Sequence, residues 1–198
     1  MIDGNVKNRP WSENVILVDA DYIDKVAFDL IVNFERMIGR RIPKADMARW
    51  LDCVALDGGL REGDNSVQVV MIHDRPALDN FAPGNFDDEL DGKAFRDNIG
   101  EFLISACRVE RIVDRDEFFA DALATVCSAT EVKRLMIVPD ADNAGLLDAL
   151  RHTLRTADDD KRVTLFAMQP VAGGNFRQEI LGYSLMSALG IHSDELRQ

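Results

Sequence analysis

Two short acidic motifs, each placed after an apolar run, have the residue types and the spacing that chemistry requires. Asp140 and Asp142 follow the run "LMIV" and Pro139, and Asp19 and Asp21 follow the run "VILV". Both motifs read D-A-D. Two carboxylates this close repel each other, and a divalent cation relieves that repulsion most readily. Because hard oxygen ligands suit Mg²⁺ or Mn²⁺, the two motifs together predict a shared metal site.

Helix capping is the simpler use of the same residues. A helical pattern begins directly after each motif, and Asp142 or Asn143 would accept hydrogen bonds from the first free N–H groups of the second helix. A cap needs only one acceptor, however, whereas each motif supplies two carboxylates. The repetition at two separate places therefore favours a common acidic site.

The apolar runs before the motifs are typical of strands buried on both faces, as in parallel sheets. Apolar residues recur at helical spacing after each motif, which predicts a helix in both places. The members of this pattern are Ile23, Val26, Ala27, Leu30, Ile31 and Phe34 after the first motif, and Leu146, Leu147, Leu150 and Leu154 after the second. In open α/β sheets such strand-to-helix turns line the crevice where ligands bind.

Strands and helices alternate along the rest of the chain. The patterns predict helices at 44–56, 116–126 and 176–189, strands at 67–73 and 162–168, a strand within 101–113, and a long surface excursion at 74–98. Such alternation is typical of βαβ units. It predicts a three-layer α/β/α, doubly wound fold with a mostly parallel sheet flanked by helices. We expect one domain over residues 1–198, with an N-terminal extension at 1–13, a core at 14–170 and a C-terminal helix at 171–198.

The charge of the chain opposes general binding to a polyanion. Acidic residues outnumber basic ones by 35 to 23, which gives a net charge of −12. One local exception is a basic patch that could bind RNA beside the acidic site, formed by Arg36, Arg40, Arg41, Lys44 and Arg49. The alternative for this patch is an exposed helix end, where cations complement the helix dipole.

The cysteines and the distribution of apolar residues indicate the cellular compartment of the protein. The three cysteines lack metal-ligand spacing and fit reduced thiols in a cytosolic protein. The N-terminal sequence is not a basic region followed by an apolar stretch, and no run of about 18 apolar residues occurs. We therefore expect a cytoplasmic protein with no membrane partner, and self-association as a homo-oligomer stays open.

The motifs, taken in order, resemble the NYN branch of the PIN-like nuclease superfamily. An Asp ends the first strand, the middle segment contains Val113, Asp114 and then "DAL" from Asp121, and a later strand ends in D-x-D. The resemblance covers most of the chain from Val15 to Met168. It implies a parallel sheet between helices and an Mg²⁺- or Mn²⁺-dependent ribonuclease.

Carried over residue by residue, the resemblance implies catalytic roles for Asp19, Asp121, Asp140 and Asp142, with Asp114 as the alternative in the middle segment. Together with Asp21 from the first motif, these six aspartates are the expected metal ligands. The expected function is a metal-dependent phosphodiesterase acting on RNA, in which the metal polarises the phosphodiester and activates a water molecule.

Several residues depart from the family pattern. Tyr22 stands where the family often has Asn, Pro139 replaces a small residue, and Asn143 and Ala144 follow where Phe is usual. These departures keep open a catalytically degenerate PIN-like module with a binding or self-association role. Two other families fit less well: Toprim domains need Glu at the position of Asp19, and haloacid dehalogenase-like phosphatases need Thr where Ile23 stands.

Overall fold

The computed structural model describes residues 10–197, in which strands and helices alternate. The strands are β1 (Asn14–Asp19), β2 (Ala45–Asp46), β3 (Asn65–His73), β4 (Phe81–Ala82), β5 (Ala94–Arg96), β6 (Gly100–Arg108), β7 (Arg134–Val138), β8 (Arg162–Ala167) and β9 (Arg177–Ile180). The helices are α1 (Ala20–Ile38), α2 (Met47–Asp57), α3 (Arg115–Ser128), α4 (Ala144–Arg155) and α5 (Leu181–Ala188). A π-helical turn at Phe86–Leu90 and a 3-10 turn at Ser193–Leu196 complete the regular structure.

The main sheet has seven strands in the order β5-β6-β3-β1-β7-β8-β9, and only β5 is antiparallel to its neighbour. One face packs against α1, α2 and α5, and the other against α3 and α4. In β1, Ile16 and Val18 belong to the first core, whereas Val15 and Leu17 belong to the second. This alternation explains why the run is apolar throughout, and it confirms the predicted three-layer α/β/α fold.

The strand order places the two acidic motifs side by side. The chain moves outward from β1 through β3 to β6, then returns to pair β7 with the other edge of β1. This reversal leaves a crevice at the carboxyl ends of β1 and β7, because the connections that follow these strands diverge to opposite faces of the sheet. Ligands of open α/β sheets bind at such a switch point.

The predicted helix at 176–189 is wrong in its first part. Residues 177–180 form β9, which pairs in parallel with β8 and extends the sheet beyond residue 170, and α5 begins only at Leu181. The apolar spacing at 176–189 suits a helix. However, the free edge of β8 presents backbone N–H and C=O groups that need hydrogen-bond partners, and a four-residue strand can supply them. Hydrogen bonding to that edge overrides the helical pattern.

The segment 74–98 is not the surface excursion that its composition predicts. It contains β4, the π-helical turn and β5, and it buries Leu78, Phe81, Phe86 and Leu90 in the core of the α1 face. These apolar residues are spaced widely among acidic ones, so neither a helical nor a strand period is visible. Tertiary packing, rather than local pattern, orders this segment.

No helix within residues 10–197 combines the length and the apolar character needed to cross a bilayer.

One acidic pair outside the crevice joins α2 to the connection between β5 and β6. Burial raises the pKa of Asp52 to about 7, and a hydrogen bond with Asp97 and the charges of Asp97 and Asp46 add to the increase. Asp97 also accepts the backbone N–H of Ile99 at 2.8 Å. Asp52 therefore keeps its proton to a higher pH than an exposed aspartate does, because its pKa is raised.

We expect Asp52→Asn to remove a pH-dependent loss of stability. The folded-state pKa of Asp52 lies above its ordinary value of 3.8, so its contribution is complete at acidic pH and is lost as the pH rises through about 7. The amide stays neutral and can still donate to Asp97. Urea unfolding at about pH 5.5 and about pH 8.5 should show a smaller decrease for the variant than for the parent. The exposed variant Asp121→Asn is the control. If the free energy of unfolding of Asp52→Asn decreased between the two pH values as much as that of the parent and of the control, the expectation would be contradicted.

Candidate active site

Asp19 is the most deeply buried acid of the crevice. It is the last residue of β1, its relative exposure is 0%, and its Oδ1 accepts the backbone N–H of Tyr22 at 3.0 Å, which caps α1. No hydrogen bond reaches its Oδ2. One carboxylate oxygen thus has a structural use, and the other is free to meet a charged group.

Asp21 ties the loop after β3 to the start of α1. Its carboxylate accepts the backbone N–H groups of Asp74 at 2.7 Å and of Arg75 at 3.4 Å. Asp24, buried on the next turn, accepts from the N–H of Asn80 at 2.8 Å and from the Arg75 guanidinium at 3.2 Å. The first turns of α1 therefore fix one wall of the crevice.

The second D-A-D forms a turn between β7 and α4. The backbone N–H of Asp142 donates to Asp140 Oδ1 at 3.1 Å. The cap of α4 is Asn143, whose side-chain oxygen accepts the N–H of Leu146 at 3.1 Å. Capping therefore accounts for Asn143, and it does not account for Asp142.

Arg115 occupies the position between the first-motif carboxylates. It is the first residue of α3, and its Nε lies 3.4 Å from Asp19 Oδ2 while its Nη1 lies 3.3 Å from Asp21 Oδ2. Its side chain is 33% exposed, whereas that of Asp21 is 8% exposed. A guanidinium thus provides positive charge where the sequence predicts a metal ion.

The pKa of Asp19 reflects both the burial of its carboxyl group and the acidic residues around it. Burial raises the pKa of Asp19 to about 6, against the lowering effects of the Arg115 charge and the Tyr22 N–H. The charges of Asp21 and Asp140 raise it further, so the two motifs act on one another across the crevice. Burial together with the charges of Asp142 and Asp140 also raises the pKa of the Tyr22 hydroxyl, which places Tyr22 beside the second motif.

The middle-segment aspartates do not join this group. Asp114 caps α3 by accepting the N–H groups of Asp116 at 2.8 Å and Glu117 at 3.1 Å. Asp121 is exposed on α3, beyond the helix turn that reaches the crevice. The structure therefore does not bring Asp114 or Asp121 into the predicted site. The α3 residue that contacts the first-motif carboxylates is Arg115, at the N-terminus of the helix.

In this structure, the carboxylate groups of the two acidic motifs are not arranged to coordinate a divalent cation. Among residues 10–197, no three His, Cys, Asp or Glu side chains are placed to hold a metal ion. The buried Asp19 Oδ2 is the kind of oxygen that a metal would use, but its charged neighbour is Arg115. The predicted ligands Asp19, Asp21, Asp140 and Asp142 do share one edge of the sheet.

Three of the five residues of the basic patch, Arg36, Arg40 and Arg41, lie away from the acidic site. Arg36 lies in the last turn of α1, about 24 Å along the helix from Ala20 at 1.5 Å per residue. Arg40 is paired with Glu195 at 2.7 Å, and Arg41 lies 3.9 Å from Glu35. The part of the patch on and just after α1 therefore matches the alternative of a helix end with local partners.

Arg115 and Tyr22 lie at the site although the sequence motifs do not predict them there. One signal for Arg115 was present, because a cation at the first position of a helix opposes the helix dipole and needs a compensating partner. Tyr22 gave no comparable signal, since an aromatic residue one turn into a helix ordinarily belongs to the core.

We expect Asn143→Ala to destabilise the protein by about 0.5 to 2 kcal/mol, the usual cost of losing an N-cap. The Asn143 amide also donates to Asp116 at 2.5 Å and so joins α4 to α3. Asp142→Ala should cost less, because it removes no cap. Urea unfolding in EDTA compares the two variants, and an equal or larger loss for Asp142→Ala would contradict the assignment.

Asp19→Asn should leave the metal-free protein at least as stable as the parent above pH 7. The folded-state pKa of Asp19 is raised to about 6, so ionisation costs stability as the pH rises through that value, and Asn retains the cap of α1. The gain at about pH 8 should be on the order of 1 to 3 kcal/mol. A loss of stability at this pH would show that the ion pair with Arg115 outweighs burial.

Comparison with known proteins identifies a family for this chain but no biochemical activity. No curated protein and no solved structure matches the chain. A family model does match, over residues 8–196, which is nearly the whole length. The chain therefore belongs to DUF6621, a family of unknown function.

Proposed function

We propose that this chain is a catalytically degenerate PIN-like binding module, in which Arg115 replaces the divalent cation of the acidic crevice. The observation that carries the proposal is the position of the Arg115 guanidinium, 3.4 Å from Asp19 and 3.3 Å from Asp21. A guanidinium has no coordination position for water, so at this place it cannot activate water for phosphodiester hydrolysis as a divalent cation would. It retains the architecture of a ligand site.

The charge of the crevice favours a basic ligand over RNA. The Arg115 guanidinium pairs with Asp19 and Asp21, whereas among the described residues Asp140 and Asp142 form no salt bridge with a basic side chain. The net charge of −12 acts in the same direction over longer distances. A lysine or arginine side chain of a partner would complete the charge balance. RNA binding through the basic patch stays a prediction, and so does self-association.

A metal-dependent phosphodiesterase acting on RNA is the second candidate, and one observation favours it. Asp19 Oδ2 is fully buried and accepts no hydrogen bond, so it is available to a stronger cation than Arg115. This function requires Arg115 to leave the carboxylates, after which Asp19, Asp21, Asp140 and Asp142 would be the residues that hold Mg²⁺ or Mn²⁺. A bound divalent ion would then supply the Lewis acid for phosphodiester cleavage.

Metal-dependent stability and cleavage separate the two candidates. For the parent protein we expect millimolar Mn²⁺ to leave the melting temperature equal to that in EDTA, because a ligand raises it only by binding the folded state. We also expect no more cleavage of a single-stranded RNA in Mn²⁺ than is given by the double variant Asp140→Asn with Asp142→Asn.

The opposite result would support the enzyme. A Mn²⁺-dependent increase in melting temperature that the double variant abolishes, together with RNA cleavage by the parent alone, would overturn the binding module.

A further inference from the structure

Four arginines gather at the edge of the sheet opposite to the acidic crevice, where the parallel strands β7, β8 and β9 begin. Arg134 is the first residue of β7 and Arg162 the first of β8, and the two are direct neighbours across this strand pair. Arg177 begins β9 and pairs with Thr164, which lies on the same face of β8 as Arg162. Arg61 lies in the connection that follows α2, the helix that packs on this face. These four residues are the arginine cluster.

Two members of the arginine cluster are held in place by the backbone after α2. Arg134 Nη1 donates to the carbonyl of Gly58 at 2.7 Å, and Arg61 Nη1 donates to the carbonyl of Leu60 at 2.7 Å. Gly59 lets the chain approach this closely, since its φ is +93° and a Cβ there would lie 2.6 Å from Arg134 Nη1. Each guanidinium is thus positioned through one nitrogen, and within residues 10–197 its Nε and Nη2 have no hydrogen-bond partner.

The arginine cluster has little compensating negative charge. Within the described part of the chain, Arg177 is the one member with a salt bridge, at 3.7 Å from Glu179, and the Arg162 side chain makes no hydrogen bond. Burial lowers the pKa of Arg134, the charges of the other three arginines lower it further, and the charge of Glu13 opposes this. The guanidiniums therefore lie close enough to repel one another.

Stabilisation of the carboxyl end of α2 explains only part of this arrangement. Arg61 and Arg134 donate to carbonyls at or just after that end, where positive charge complements the helix dipole. Arg162 and Arg177 make no such contact, and both are exposed. Their addition increases the repulsion within the cluster. An anion that bridged the guanidiniums would relieve it.

We propose that the arginine cluster is a binding site for a small phosphate-bearing anion, held across the first residues of β7, β8 and β9. Paired N–H groups of guanidinium match the geometry of phosphate oxygens. A small anion fits better than an extended polyanion, because the net charge of −12 repels a polyanion wherever it reaches beyond the cluster. This site lies apart from the acidic crevice, so its ligand is additional to the basic partner proposed there.

The test measures binding of inorganic pyrophosphate by isothermal titration calorimetry in EDTA, so that no metal ion can link the anion to the acidic motifs. The parent is compared with the double variant Arg162→Gln with Arg177→Gln. The matched control is Arg108→Gln with Arg111→Gln, because these exposed arginines lie at and beyond the carboxyl end of β6 and their loss changes the net charge equally. Far-ultraviolet circular dichroism establishes that each variant is folded.

We expect the parent and the control to bind pyrophosphate with similar affinity. The Arg162 and Arg177 double variant should bind about tenfold or more weakly, because one hydrogen bond to a charged group is worth roughly a factor of ten in affinity. Pyrophosphate should also raise the melting temperature of the parent and the control more than that of this variant, since a ligand of the folded state stabilises it.

A labelled single-stranded RNA, titrated under the same conditions, distinguishes a small phosphate ligand from a nucleic acid. Binding of pyrophosphate without binding of the RNA would support the proposal. Binding of the RNA alone, lost in the Arg162 and Arg177 double variant, would overturn it in favour of a nucleic acid. Absence of pyrophosphate binding by the parent, or equal binding by the two double variants, would also overturn it.

Discussion

The burial of Asp19 is the constraint on which the crevice depends. A carboxylate with 0% exposure at the centre of a seven-stranded sheet loses its hydration, and a buried charge is tolerated only when other groups replace the lost water. Tyr22 supplies one N–H, and Arg115 supplies the charge. Because Arg115 begins α3, the connection from β6 to α3 must end at this edge of the sheet. The neutralisation of one residue thus fixes where a distant helix starts.

Helix capping and charge placement are combined in the same short turns. Asp19, Asp114 and Asn143 cap α1, α3 and α4, so three helix starts converge around the crevice. Each cap satisfies N–H groups that would otherwise need water. The bond between Asn143 and Asp116 joins two of these starts directly. The crevice is therefore built from well-satisfied helix ends, which favours a fixed shape over one that forms on binding.

Much of the fold, and half of the site, could be predicted from the sequence. The continuous apolar run of β1 and the acidic residues after it gave both the buried strand and the edge where Asp19 lies, because local pattern determines these features. Arg115 and the strand β9 could not be predicted in this way. Arg115 meets Asp19 only after the chain has passed through five further strands, β2 to β6, and β9 exists because β8 leaves an edge unpaired. Such contacts depend on tertiary neighbours, about which a local period carries no information.

Replacing a metal ion by an arginine changes what a crevice can do, even when its shape is kept. A divalent ion carries two charges and open coordination positions, whereas a guanidinium carries one charge spread over a plane and has no position for water. Four carboxylates at the ends of β1 and β7 therefore remain incompletely neutralised by Arg115. The uncompensated charge lies with Asp140 and Asp142, of which Asp142 is exposed to solvent. Under the proposed function, this excess of negative charge would attract a basic group of a partner, while the Arg115 guanidinium occupies the position beside Asp19 and Asp21.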